Sequence, residues 1–261
     1  MKAPTSENSV TTPSYWNSVW AAPASNRMLR ANDFYAGRDG LFLKLVRRYA
    51  GDIRGKSVVE LGGGGNSMRL LALAKWLDVE ATVVDFSEEG LRVVEKLFAA
   101  NGCRVRLISA DLNTWVPEAP FDVVTHWGVL EHFLDPRPLL ATSAAALKPG
   151  GSLMFYMPNM EALAARLWKR WSPANWGVHI WHSDELVLRN MHELGLTDIQ
   201  SFHYGIPFVK MAPWEQASPI QLPFDLLQKI ASASARILPI YHRVGHRKIS
   251  MERGFSARRQ P

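Results

Sequence analysis

A single cysteine, Cys103, stands in a chain of 261 residues. An internal disulfide is therefore impossible, and so is a metal cluster built on cysteines. No apolar run is long enough to cross a bilayer, and residues 1–10 are polar, without the apolar segment that marks a secretory leader. The expected setting is the cytoplasm. Internal repeats and low-complexity tracts are missing too. Aromatic residues are sparse where the chain is most basic. Between Arg236 and Arg259, only Tyr241 and Phe255 accompany Arg243, Arg247, Lys248, Arg253 and Arg258. An RNA-binding surface interleaves the two kinds of side chain, so the formal charge of +6 argues little for nucleic acid. An acidic ligand or a membrane surface is the alternative partner for the basic C-terminal stretch.

Length suffices for one α/β domain with additions and a sizeable core. The most informative segment runs from Val58 to Asn66. A β-branched run ends in Glu60-Leu61, opens into Gly62-Gly63-Gly64-Gly65, and then turns helical, with Met68, Leu70, Leu71, Leu73, Ala74 and Leu77 on or near one face. Strand, glycine turn and helix let bare backbone approach a ligand that a Cβ would hold off. Two familiar ligand classes are excluded by spacing. A G-x-G-x-x-G fingerprint begun at Gly62 meets Ser67, and one begun at Gly63 meets Met68; no Gly-Lys-Ser/Thr follows for a P-loop. What remains is Glu60-x-Gly62-x-Gly64.

Ala81 to Asp85 reads as a second buried strand ending in a carboxylate, followed by Phe86 and by Ser87 as a helix cap, with Glu88 and Glu89 in the first turn. Val105 to Ser109 reads as a third strand leading to Asp111-Leu112, and Phe121 to His126 as a fourth, continuing into Trp127-Gly128-Val129-Leu130-Glu131-His132. Lys148-Pro149-Gly150-Gly151 turns into a fifth strand, Ser152 to Met157.

These motifs resemble those of the class I S-adenosylmethionine (SAM)-dependent methyltransferases. The strings GVLEHFLDP and LKPGG are similar to those of the branch that acts on quinone rings, sugars and other small molecules. The resemblance covers residues 56–159. It implies a Rossmann-like α/β fold with a mostly parallel seven-stranded sheet and helices on both faces. It implies SAM as cofactor, held by Glu60, Gly62 and Gly64 at the methionine and ribose portion, Asp85 on the ribose, Phe86 against the adenine, and Asp111 and Leu112 on the adenine edge. His126, at the end of the fourth strand, joins this cofactor set. Many members carry a third glycine where Asn66 stands, and Gly65 beside it supplies the freedom instead.

Around this core, residues 1–13 read as a mobile tail, 14–50 as an N-terminal helical lid, and 51–261 as the cofactor-binding domain, with 158–183 as a substrate flap. Tyr15, Trp16, Val19 and Trp20 have helical spacing, as do Leu41, Phe42, Leu45 and Val46; Tyr35 and Arg38 lie between the two helices and are the candidates to reach inward. The flap holds Trp168, Trp171, Trp176 and Trp181 around His179 and His182, which suggests an aromatic-walled acceptor pocket or, equally, a flap packed on itself. Strand six is expected near residues 197–203 and strand seven near 247–257.

Methyl transfer from a sulfonium is an in-line displacement governed by positioning. A hydroxyl acceptor still gains from a base, and His126, His132, His179 and His182 are the candidates. Quinone and small-RNA O-methyltransferases that bind a divalent cation carry Glu-x-x-Glu-His. The first glutamate falls on Gly128 here, so no metal is expected. The function expected is methylation of a small molecule (a sugar, glycolipid, quinone or other secondary metabolite), most simply at oxygen. The alternative is a SAM-binding protein that acts on RNA or protein, or that transfers no methyl group.

Overall fold

The computed structural model describes residues 8–21, 28–33, 35–205 and 245–261, with isolated positions between 223 and 230. Seven strands form one sheet in the order β3-β2-β1-β4-β5-β7-β6. They are β1 (Ser57–Leu61), β2 (Glu80–Asp85), β3 (Arg106–Ser109), β4 (Phe121–Trp127), β5 (Leu147–Pro158), β6 (Leu196–Tyr204) and β7 (Glu252–Arg259). Strands β1 to β5 pair in parallel, while β7 runs antiparallel to both β5 and β6. The strands expected at 197–203 and 247–257 are thus β6 and β7.

Parallel strands buried on both faces carry consecutive apolar residues rather than alternating ones, as do Val58-Val59 in β1, Val83-Val84 in β2 and Val123-Val124 in β4. One face carries α2 (Leu41–Tyr49), α3 (Met68–Leu77) and α4 (Glu88–Ala100), whose Phe42, Leu70, Val94 and Phe98 pack with Val58, Val83 and Val123. The other carries α5 (Arg137–Ala145) and α8 (Asp184–Glu193), whose Leu139, Leu140, Val187 and Met191 pack with Val59, Val84, Val124 and Phe155. Ser87 caps α4 through its side chain, as its position suggested, and Ser183 caps α8 likewise.

Helix α1 (Pro13–Trp20) is capped by Thr12 and buries no residue fully. It is strapped across the carboxyl ends of the strands. The Val10 amide donates to the His132 carbonyl at 2.9 Å, and the Leu134 amide donates to the Asn8 carbonyl at 2.9 Å. Of the two N-terminal helices, α1 alone has this covering position; α2 belongs to the core, with Leu41, Phe42, Leu43 and Val46 buried.

The basic C-terminal stretch is largely absorbed by the fold. On β7, Arg253 is buried against Asp184 at 2.6 Å, and Arg258 and Arg259 donate to the carbonyls of Gly150 and Leu147. Arg247 pairs with Glu161. Arg236 and Arg243 lie outside the described residues.

Candidate active site

Strand order reverses between β1 and β4, and that reversal leaves a crevice at the carboxyl ends of the strands. A cavity of about 750 Å³ occupies it. Its floor is the turn predicted from the sequence. The Asp85 carboxylate accepts from the Gly64 amide at 2.7 Å and from the Ser87 amide at 2.7 Å. A Cβ on Gly64 would stand 2.7 Å from the Asp85 carboxyl carbon, so only glycine permits this approach. Gly65 has φ +78° and lies under Trp20, whose ring a Cβ there would strike. The conformational freedom expected at Gly65 is therefore used, and it also seats the N-terminal strap.

Glu60, Gly62, Gly64, Asp85, Phe86, Asp111 and Leu112 all line this cavity. Asp111 Oδ1 also accepts from the Asn113 amide at 2.9 Å, which fixes the carboxylate at the mouth of β3. Glu60 is buried and its Oε2 has no partner; burial pushes its carboxyl up to about 8. Burial also raises Asp85, against the pull of the Ser87, Gly64 and Phe86 backbone amides.

His126 requires correction. It does not line the cavity. Successive β4 side chains point to opposite faces, so Trp127 reaches the cavity and His126 turns into the α5/α8 layer. There it stacks on Phe155 with ring centroids 4.3 Å apart, and neither ring nitrogen has a partner. Burial depresses it to about 3. It is buried as a core residue of that layer.

His182 is also away from the cavity: buried, its Nε2 facing the Phe133 carbonyl at 3.0 Å and its own carbonyl accepting from Arg253. The flap comprises α6 (Ala165–Trp171) and α7 (Pro173–Gly177). Trp168 packs edge-on against both Trp176 and His179, at 4.8 Å each, and bonds the Asn175 side chain through its indole at 2.9 Å. Trp168 and Trp176 hold the flap together, while Trp181 is exposed; of its six ring-bearing candidates, His179 alone lines the cavity. Tyr35 reaches the cavity as expected, whereas Arg38 lies over the Trp76 ring.

One ion pair was missed in the sequence, and Glu131, His132 and His179 were named there without being brought together. At one end, Arg69 donates to both Glu252 oxygens at 2.6 and 2.7 Å and lies over the rings of Trp127 and Tyr156. Tyr204 completes this aromatic end. No local signal joins Arg69 to Glu252 across 183 residues. At the other end stand Glu131, His132 and His179, in a single 3-10 turn (Leu130–His132) and in the flap. Burial pushes Glu131 up to about 8 and His132 down to about 3, and it lowers His179 as well. Trp16 of the strap closes edge-on over His132 at 5.1 Å.

A glycine turn at a switch point, with carboxylates at successive strand ends, defines an α/β protein built to hold a nucleoside-bearing cofactor. The methyltransferase-domain family matches residues 34–201, and the chain belongs to it. It is 33% identical over 126 residues to trans-aconitate 2-methyltransferase of Azoarcus sp. strain BH72, covering 48% of this chain and 47% of that one. It is 28% identical over 183 residues to the ubiquinone biosynthesis O-methyltransferase of Pectobacterium carotovorum, 69% of each chain. The chain spans about half the length of most of the curated relatives it matches. Among solved structures, phosphoethanolamine N-methyltransferase 2 of Haemonchus contortus, in complex with S-adenosyl-L-methionine, superposes with a TM-score of 0.57 at 18% identity. That match covers 84% of this chain and 52% of that one, and it speaks for the fold.

Proposed function

We propose that the protein is a SAM-dependent methyltransferase that methylates a hydroxyl of a small molecule such as a sugar, glycolipid, quinone or other secondary metabolite. The observation that carries this reading is one continuous cavity. Asp85 and Asp111, the glycine turn, Trp127, Glu131, His132 and His179 all line it.

The residues around the glycine turn suit the cofactor. Asp85 and Asp111 present carboxylates to hydroxyl and amine donors, Phe86 offers a ring face, and the bare backbone at Gly64 leaves room for close approach. Glu60 Oε2, buried and unpaired, is the group a cationic ligand would satisfy. When bound, the cofactor would supply a methyl on a sulfonium; the acceptor hydroxyl would give up its proton to water or to a neighbouring basic side chain while its oxygen takes the methyl and sulfur keeps the electron pair.

The chain's own contribution is alignment and exclusion of water. The α1 strap covers the glycine turn through Trp20 and the His132 wall through Trp16. At the aromatic end, Trp127, Tyr156 and Tyr204 flank the Arg69–Glu252 pair, a setting for a ring with polar substituents. The small-molecule reading is favoured over RNA because the described arginines of β7 are spent on Asp184 and on backbone carbonyls.

Incubation with SAM carrying a labelled methyl group and a panel of metabolite extracts, followed by mass spectrometry, tests the reading. A labelled small molecule is expected. Label appearing only in RNA or protein, or SAM binding with no transfer to any extract, would overturn it.

A further inference from the structure

One wall of the cavity combines an ion pair with hydrogen-bond donors that have no partner. Arg69 stands in the first turn of α3, Glu252 opens β7, and Tyr204 closes β6 as the register partner of Glu252. A single guanidinium nitrogen, Nη2, serves both carboxylate oxygens, at 2.6 and 2.7 Å. The pair is part-buried, and the guanidinium lies over the rings of Trp127 and Tyr156. Among the described residues, nothing bonds the Tyr156 hydroxyl, the Tyr204 hydroxyl or the Trp127 indole nitrogen, although both tyrosines are buried. Burial raises both phenols above their ordinary value, so each keeps a proton to donate. All of these side chains line the cavity. A buried donor left alone is costly, and a wall with several of them suits a ligand that brings acceptor oxygens.

The charges decide what kind of oxygen. A carboxylate or phosphate placed here gains from Arg69 but meets Glu252 beside it, and an ammonium meets the reverse. At about 4 Å the attraction and the repulsion are of the same size, and a charged group also gives up its hydration to enter a wall of rings. A hydroxyl or carbonyl oxygen faces neither penalty. It accepts from the phenols, from the indole, or from the Nε and Nη1 donors of Arg69; a hydroxyl also donates to the lone pairs that Glu252 keeps beyond its bonds to Nη2. An ion pair of this kind adds little stability over apolar side chains of the same volume, whereas a like charge that repels the wrong ligand is a route to specificity. We propose that Arg69 and Glu252 are the specificity pair of the acceptor site. Together they admit an uncharged ring bearing hydroxyl or carbonyl oxygens and turn away acids and amines, with Tyr156 and Tyr204 as the donors that hold the ring. The assignment to the acceptor rests on the reading under Proposed function.

The test uses the full chain saturated with S-adenosylhomocysteine, so that no transfer occurs, and two series of rings. Each series has an uncharged, an acidic and a basic member: catechol, protocatechuate and dopamine, then methyl glucoside, glucuronate and glucosamine. Affinities are read by saturation-transfer NMR. In one series the uncharged member should bind about tenfold tighter than both charged ones, and which series it is separates an aromatic acceptor from a sugar. Glu252→Gln should raise the affinity of the acidic member about tenfold, and Arg69→Gln that of the basic member. Gains of this kind do not arise from a damaged fold. Tyr204→Phe deletes a hydroxyl that no other described residue uses, so it should leave thermal stability unchanged or higher while it weakens the uncharged member about fivefold. SAM affinity should stay within about threefold in all three variants. A charged member binding as tightly as the uncharged one in the unaltered chain would overturn the proposal. So would charge substitutions that leave the ranking unchanged, no saturable binding in either series, or SAM affinity that falls in place of ring affinity, which would give the pair to the cofactor. SAM binding without transfer to any acceptor would count against the enzyme reading alone.

Discussion

His126 offers the sharpest separation of core from site, and the substitution to make is His126→Leu. The ring is fully buried, stacked on Phe155, and lacks a partner at both nitrogens. A neutral imidazole must still bury one N–H, at about 1–3 kcal/mol when it goes unpaired. Leucine of similar volume removes that cost, so stability at pH 7 should hold or rise. The pH dependence is more telling. Burial lowers the folded value from 6.5 to about 3, so the stability this residue retains is fully present above 6.5. It is lost as pH falls through that window toward 3, because the unfolded chain takes up a proton that the folded chain refuses. Integrated from pH 7 to pH 5, one such histidine removes about 2 kcal/mol. Denaturant unfolding at the two pH values should therefore show a loss about 2 kcal/mol smaller for His126→Leu than for the unaltered chain. SAM affinity and methyl transfer should be retained. Identical pH dependence in the two proteins, or transfer abolished with the fold intact, would refute the placement of this ring.

Asp85→Asn keeps the shape of the residue but cannot accept from both the Gly64 and Ser87 amides and also serve the ribose. SAM affinity should fall at least tenfold by calorimetry, from hydrogen bonds to a charged group worth about 1.5–3 kcal/mol each, and unchanged affinity would sink the assignment. Trp176→Ala removes the edge contact that supports Trp168 and, through it, His179. It should lower kcat/KM for the acceptor while the SAM dissociation constant stays within about threefold; the reverse pattern would make the flap a cofactor lid.

The glycine-turn side of the cavity was legible because everything it needs is local. Glu60, the glycines, Asp85 and Asp111 each sit at the carboxyl end of a strand whose apolar run and following cap are written in neighbouring residues. The opposite wall of the cavity was not legible, and β4 shows why. A strand buried on both faces has no alternation to read, so nothing in Val123-Val124-Thr125-His126-Trp127 tells which of the last two side chains faces the crevice. Pairing settles it: with β1 and β5 on either side, Trp127 aligns with Tyr156 and stacks on it at 4.8 Å, while His126 aligns with Phe155 and shares its layer.

The expectation of no metal was argued from one local motif. It rested on Gly128, read as a lost ligand within one motif, and it could not include His179. That residue is brought to Glu131 and His132 by contacts such as the one between His132 and Val178, 46 residues apart in the chain. Nor could the sequence show that Ile180 donates its amide to the Glu131 carbonyl at 2.6 Å, which ties the flap to the turn after β4 at the point where the three side chains meet. A backbone contact of this kind holds the flap beside the turn after β4, on the wall of the cavity.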